Sequence, residues 1–82
     1  MNRDVVEQKV LAEFSTLLKI DHVDLRTHFF DEGGQSISAV RLASRLTEEA
    51  NVLVSVVDIF DHPTAGELVE AVLAKQAATA AA

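Results

Sequence analysis

The sequence contains no cysteine, no tryptophan and no tyrosine, and it has a single proline. Without cysteine the chain can form neither a disulfide framework nor a thiolate metal site. The absence of cysteine also fits a reducing cytoplasm. Four phenylalanines make up the whole set of large aromatic residues, which leaves little material for a surface on which nucleic-acid bases could stack.

Basic residues are scarce as well. Thirteen acidic residues stand against seven basic ones, which gives a formal net charge of −6. Nucleic acids and anionic membranes both require basic patches, so neither is expected as a partner. No apolar stretch approaches the ~20 residues that span a bilayer, and the N-terminus lacks a secretory signal. We therefore expect a cytoplasmic, monomeric, one-domain protein whose acidic surface suits basic protein partners or solubility.

The spacing of apolar residues predicts an all-α fold with four helices. The first helix is expected over residues 4–18, and the second begins at Ser36. The third is short, over residues 55–61, and the fourth opens at Pro63-Thr64. The apolar segment 52–54 has no second strand with which to pair, so a sheet is not expected. The predicted fold is a small four-helix bundle with a long loop between helices one and two.

Sequence patterns also predict where the helices begin and end. Residues 55–58 and 64–67 each have the spacing of a capping box, in which the first and fourth residues bond each other's backbone. The alanine-rich tail, residues 77–82, has no large side chain with which to pack. We expect it to fray beyond a domain of residues 1–76.

Charged residues on the first two helices suggest where their outer faces lie. Glu7, Lys9 and Glu13 are expected on the outward face of helix one. On helix two, Arg45 and Glu49 are four residues apart, a spacing that allows an ion pair.

The loop over residues 19–35 is long for so small a domain, and long loops are often functional or disordered. Disorder requires a composition poor in apolar residues. This loop is instead rich in them, so we expect it to be held across the core; these residues are Ile20, Val23, Leu25, Phe29 and Phe30.

Ser36 is a nucleophile in an unusual setting, because the pair Gly33-Gly34 lies just before it and a predicted helix starts at it. Glycines permit close approach of another molecule. A helix start offers free backbone N–H groups and partial positive charge, which favour a phosphate. The residues alone also allow a simpler interpretation, in which Ser36 is the N-cap residue that follows a flexible turn.

Two other kinds of site are less favoured by the pattern. A catalytic serine requires a nearby base and an orienting group, but the three histidines all fall in predicted loops and a small bundle has no deep pocket. A metal site in the first loop matches no standard ligand spacing. We therefore expect neither catalytic residues nor a metal among the histidines and the loop carboxylates, which are His22, His28, His62, Asp21 and Asp24.

Residues 29–37, Phe-Phe-Asp-Glu-Gly-Gly-Gln-Ser-Ile, resemble the attachment motif of carrier proteins, in particular the peptidyl carrier (thiolation) domains of nonribosomal peptide synthesis. The similarity continues through residues 39–42. It returns at residues 59–64, Ile-Phe-Asp-His-Pro-Thr, which resemble the second motif of the family. Two motifs in register extend the resemblance over about residues 5–74.

The resemblance implies a covalent 4′-phosphopantetheine group on Ser36, within the turn formed by Gly33, Gly34 and Gln35. A separate phosphopantetheinyl transferase would attach it from coenzyme A, using magnesium. The thiol of the arm would then hold an amino acid or acyl group as a thioester. Implied partners are adenylation and condensation enzymes, or acyltransferase and thioesterase-type enzymes. The domain itself would be a carrier and not an enzyme.

Two positions depart from the family pattern. Gln35 stands where peptidyl carriers often have histidine and where fatty-acid and polyketide carriers usually have aspartate. Glu32 replaces a leucine that often precedes the glycine pair. The glycine pair and Arg41 favour the peptidyl branch, while an acyl carrier for polyketide or fatty-acid synthesis stays open as the alternative.

Residues that flank Ser36 are candidates for contact with partner enzymes: Ile37, Val40 and Arg41 on helix two and Val57 on helix three. Ile37 could equally belong to the core, since it shares a stripe with Val40.

A different class of function is an unmodified helical interaction domain. The start at Met1 and the end soon after the last helix lead us to expect a free-standing protein.

Overall fold

The computed structural model describes residues 2–81 and has four α-helices in them. They are α1 (Arg3–Leu18), α2 (Ser36–Ala50), α3 (Val56–Asp61) and α4 (Ala65–Ala81). No β-strand occurs in this part of the chain, so the predicted all-α four-helix bundle with a short third helix is confirmed. Helix α4 runs on to Ala81. Fraying of the tail therefore stays a prediction, and Ala82 lies outside the described residues.

The helix boundaries follow from local hydrogen bonds. Asn2 caps α1, because its Oδ1 accepts from the Val5 N–H at 2.9 Å. Both predicted capping boxes are present, one between Ser55 and Asp58 and one between Thr64 and Glu67. Each box satisfies backbone N–H groups that have no partner inside the helix.

The core lies where α1 packs against both α2 and α4, while α3 closes the space between α2 and α4. Each long helix contributes one apolar stripe, as the 3.6-residue period requires. No helix within residues 2–81 is long and apolar enough to cross a membrane. The largest fully buried side chains are Val6, Val10, Phe14, Phe29, Leu42, Leu46, Ile59, Leu68, Val69 and Val72.

The long loop is held across the core, as predicted from its apolar residues. Its backbone bonds to the turn between α3 and α4: the Phe29 N–H donates to the Pro63 carbonyl at 2.8 Å. The start of α4 donates in return, from the Ala65 N–H to the residue 27 carbonyl at 3.0 Å and from the Gly66 N–H to the residue 25 carbonyl at 2.8 Å. These bonds satisfy backbone groups on both segments. The loop before Ser36 is thereby attached to the start of α4.

All four phenylalanines form one continuous series of ring contacts. Phe14 of α1 meets Phe29 edge-on, with 5.3 Å between ring centroids. Phe29 meets Phe30 edge-on at 5.3 Å, and Phe30 stacks on Phe60 of α3 at 4.8 Å. Edge-on and stacked pairs are favourable geometries for aromatic rings. The series links α1, the loop and α3.

One prediction about α1 is wrong: Glu13 lies inward, with only 9% of its surface exposed. Arg45 on α2 approaches it, with 3.4 Å between Nη1 and Glu13 Oε1. Glu49 in turn pairs with Lys9 at 3.8 Å. The predicted Arg45–Glu49 pair within α2 is thus replaced by pairs between helices, because α1 and α2 lie side by side.

Glu13 and Glu49 form a close carboxyl pair between α1 and α2. Burial raises the pKa of Glu13 from 4.5 to about 7, and the neighbouring Glu49 adds to the rise while Arg45 opposes it. Glu49 Oε1 is buried and accepts no hydrogen bond within the described chain.

This pair makes stability depend on pH in a defined direction. Between pH 4.5 and 7 the folded state keeps a proton on Glu13 that the unfolded chain has released, so the free energy of unfolding falls as pH rises across this range. We expect a loss on the order of 1–3 kcal/mol, or several degrees in melting temperature. Glu13→Gln imitates the protonated form, so its melting temperature should stay nearly constant across this pH range. An unchanged pH slope in Glu13→Gln would contradict the assignment.

Candidate functional site

Ser36 is the first residue of α2, and its side chain is exposed. The N-cap position belongs to Gln35, whose backbone is extended, with φ −124° and ψ 172°, as is typical of a cap. The interpretation of Ser36 as the N-cap is therefore wrong by one residue. The Gln35 N–H donates to Ser38 Oγ at 3.4 Å, so a different serine helps to close the helix start. The Ser36 hydroxyl therefore takes no part in capping the helix.

The two glycines before Ser36 are required for different reasons. Gly33 has φ +102°, a backbone conformation that other residues rarely adopt. Gly34 lies directly on the ring of Phe29: a Cβ there would be 2.4 Å from the Phe29 Cδ2 atom and 2.6 Å from its carbonyl oxygen. The Gly34 N–H donates to that same carbonyl at 2.9 Å. The turn is thus folded tightly onto a fully buried aromatic side chain.

The start of α2 suits a phosphodiester on Ser36. The first bond of the helix joins the Ala39 N–H to the Gln35 carbonyl at 2.9 Å, so the N–H groups of Ser36 and Ile37 have no acceptor within the helix. These groups and the helix dipole favour a negative charge at this end. The exposed hydroxyl and the charge environment therefore fit the attachment of phosphopantetheine.

The described residues show neither a base bonded to Ser36 nor a cluster of metal ligands. Within residues 2–81 the Ser36 side chain makes no hydrogen bond to a possible base. His28 Nδ1 accepts from the Asp31 N–H at 3.1 Å, so this histidine helps to shape the loop. The described residues contain no group of three histidine, aspartate or glutamate side chains placed to hold a metal ion.

The residues predicted to contact partners are on the surface. Ile37 is 65% exposed, Val40 54% and Val57 64%, and Arg41 is exposed too. Ile37 therefore does not belong to the core, because the buried stripe of α2 runs instead through the residues Ala39, Leu42, Ala43, Leu46 and Ala50.

Sequence reasoning missed Phe60 as a surface residue. This residue is 52% exposed, while one face of its ring stacks on Phe30. Its position three residues after Val57, on the same side of a short helix, was the available signal. We call Ile37, Val40, Val57 and Phe60 the apolar face.

Comparison with known proteins identifies the family. Residues 8–72 match the family described as phosphopantetheine attachment site. The chain belongs to this family. Phosphopantetheine is accordingly the prosthetic group of this carrier, and the resemblance inferred from the two motifs is confirmed.

Relatives of the carrier include very large proteins. It is 44% identical over 62 residues to a component of the plipastatin synthase of Bacillus subtilis, an alignment that covers 76% of this chain and 2% of the relative. It is 40% identical over 70 residues to the nonribosomal peptide synthetase kk1B of Curvularia clavata, which covers 85% of this chain and 0% of the relative to the nearest per cent. The chain thus spans only a small part of the curated relatives that it matches.

Solved structures share the fold of the carrier. The PaxA T1-CDD/PaxB NDD docking-domain complex of the Pax nonribosomal peptide synthetase superposes with a TM-score of 0.80 and 32% identity, covering 87% of this chain and 68% of that one. BlmI, a type-II acyl carrier protein from Streptomyces verticillus involved in bleomycin biosynthesis, gives a TM-score of 0.82 and 25% identity, covering 88% of this chain and 87% of that one.

The two glycines should respond differently to substitution by alanine. Gly33→Ala introduces only backbone strain, since no atom lies within 4 Å of the added carbon, and we expect a cost of about 1–2 kcal/mol. Gly34→Ala forces the turn away from buried Phe29, so we expect a larger loss, about 3 kcal/mol or more. Urea unfolding followed by circular dichroism measures both values. Equal losses in the two variants would contradict the assigned difference.

Proposed function

We propose that this chain is a peptidyl or aminoacyl carrier of nonribosomal peptide synthesis, with 4′-phosphopantetheine attached to Ser36. The observation that carries the proposal is the exposed Ser36 hydroxyl at the start of α2, held outward by a turn that is folded onto Phe29. The family match covers this segment. The relatives that are peptide synthetases favour the peptidyl branch.

In this function the chain's own residues present a site and do not catalyse a reaction. The bundle holds Ser36 at a fixed place, and the free N–H groups of Ser36 and Ile37 offset the charge of a phosphodiester. The arm supplies a terminal thiol that would carry an amino acid or acyl group to successive enzymes. Because the arm is long and tethered, the carried group is kept at high local concentration without a pocket in the domain.

The attachment site can be tested by intact mass. Incubation with coenzyme A, magnesium and a broad-specificity phosphopantetheinyl transferase should add one phosphopantetheine group to the wild-type protein. Ser36→Ala should gain no mass because the acceptor hydroxyl is gone. Ser44→Ala is a matched control, since Ser44 is exposed on the same helix, and it should be modified like the wild type. A wild-type protein that gains no mass under exhaustive conditions would favour the unmodified interaction domain.

The enzyme that loads the modified carrier distinguishes nonribosomal peptide synthesis from polyketide or fatty-acid synthesis. We propose that adenylation enzymes load the modified carrier and condensation enzymes unload it, as the relatives that are peptide synthetases suggest. The acyl carrier alternative stays open because BlmI, a type-II acyl carrier protein, has the same fold and because Gln35 matches neither branch. Loading by an acyltransferase, with no adenylation enzyme accepting the carrier, would move the protein to that alternative.

We propose that the apolar face, on the two helices α2 and α3 that pack together, contacts the loading enzyme. Burying half-exposed apolar side chains at an interface gives favourable free energy. The double variant Ile37→Thr, Val57→Thr should raise the KM of the loading enzyme for the carrier about fivefold or more, by the same reasoning. Leu25→Ser, which changes an exposed apolar residue beside α4, serves as control. An equal KM in the double variant and the wild type would show that the apolar face does not contact the loading enzyme.

A further inference from the structure

Charged pairs between α1 and α2 show how the two helices are aligned. Lys9 of α1 pairs with Glu49 of α2 at 3.8 Å. One turn further along α1, Glu13 pairs with Arg45 at 3.4 Å. A step of about one turn forward on α1 thus corresponds to one turn back on α2, so the helices are antiparallel. The series of pairs runs toward the start of α2, where Ser36 lies.

The next step in this series has a cation without an acid. It places Leu17 of α1 opposite Arg41 of α2, and both residues line one cleft of about 360 Å³ between the helices. Lys19, which follows the end of α1, lines the same cleft. Within residues 2–81, neither cation has a carboxylate within ion-pair distance. We call this space the basic cleft, because its lining in the described part of the chain includes no acid.

The basic cleft lies beside the proposed attachment residue. Its lining includes Ile37 and Ser38, which directly follow Ser36 in the chain. Long side chains of an α-helix lean toward its N-terminus and cover the preceding turn, so the Arg41 side chain covers the turn that contains Ile37 and Ser38. A group attached to the Ser36 hydroxyl therefore begins at the edge of the space that Arg41 covers.

The prosthetic group itself supplies an anion for this cleft. The family of this chain carries phosphopantetheine, and the phosphate at the root of that arm would form a negatively charged phosphodiester with Ser36. Arginine suits phosphate, because its planar guanidinium can donate two parallel hydrogen bonds. The acids nearest to Ser36 in the sequence, Asp31 and Glu32, belong to the turn and do not line the cleft. The basic cleft is therefore the side on which a phosphodiester meets opposite charge.

We propose that Arg41, with the charge of Lys19 beside it, binds the phosphodiester of the chain's own arm in the basic cleft. This inference rests on the proposed function, because it requires the arm to be attached to Ser36. The contact holds the root of the arm on the α1 side of α2 and leaves the rest of the arm free to move. Because the contact exists only in the folded chain, modification should stabilise the fold through Arg41.

Thermal unfolding of the unmodified and modified forms tests the proposal, with intact mass confirming one phosphopantetheine group on each modified sample. The N–H groups at the start of α2 favour the phosphate in every variant, so the decisive quantity is how much of the rise in melting temperature depends on Arg41. Modification should raise the melting temperature of the wild type about 2–5 °C more than that of Arg41→Gln, as expected for one exposed charge pair. Lys19→Gln should lose a smaller part of the rise.

Arg26→Gln is the matched control. It removes a cation that is exposed on the loop outside the cleft, so it should keep the whole rise of the wild type. High ionic strength should reduce the difference between the wild type and Arg41→Gln. A lower stability of Arg41→Gln in both forms does not disturb the comparison, because the rise is measured within each variant.

NMR spectroscopy of the modified protein reports the contact directly. The phosphorus resonance of the arm should shift in Arg41→Gln and stay unchanged in Arg26→Gln. The Nε–H resonance of Arg41 should shift when the wild type is modified, and that of Arg26 should not. A purely structural role of Arg41 would not link its resonance to the phosphate.

The contrary outcomes are separate from one another. An equal rise in melting temperature in Arg41→Gln and the wild type, or an unchanged phosphorus resonance in Arg41→Gln, would overturn the proposal. Equal losses in Arg26→Gln and Arg41→Gln would show that only net charge acts, and would overturn it as well. A wild-type protein that gains no mass contradicts the proposed function, and the inference about Arg41 then falls with it.

Discussion

The hydrogen bond from the Phe29 N–H to the Pro63 carbonyl, 2.8 Å long, is the contact on which the position of Ser36 depends. It fixes Phe29 in the core, where its ring packs edge-on against Phe14. Gly34 then lies directly on that ring, and the chain leaves the turn in the direction that starts α2. The position of the Ser36 hydroxyl thus follows from contacts on the opposite side of the turn.

Much of this arrangement could be predicted from the sequence. The apolar period predicted the four helices, and the capping boxes at Ser55 and Thr64 predicted the starts of α3 and α4. The apolar composition of the loop indicated that it lies across the core. The backbone groups that hold the loop could not be predicted, because the hydrogen bond between Phe29 and Pro63 joins segments far apart in the chain and leaves no local pattern.

The errors at Glu13 and Phe60 concern side chains at helix contacts. Glu13 was expected outside, but the side-by-side packing of α1 and α2 covers it and brings Arg45 to its carboxylate. Phe60 was not recognised as a surface residue, although the stack on Phe30 covers only one face of its ring. A helical period gives the direction of a side chain within one helix, and it does not give the height or angle at which the next helix crosses.

The backbone bonds between the loop and the start of α4 also limit how the site could be moved by protein engineers. Grafting residues 29–37 onto another bundle would transfer the serine and its glycines without the carbonyl that holds Phe29. A graft needs two separate segments, the turn and the residues around Pro63. The recipient scaffold must hold these two segments at the distance from each other that they have here. Both segments are therefore needed to keep the backbone before Ser36 in the conformation that it has in this bundle.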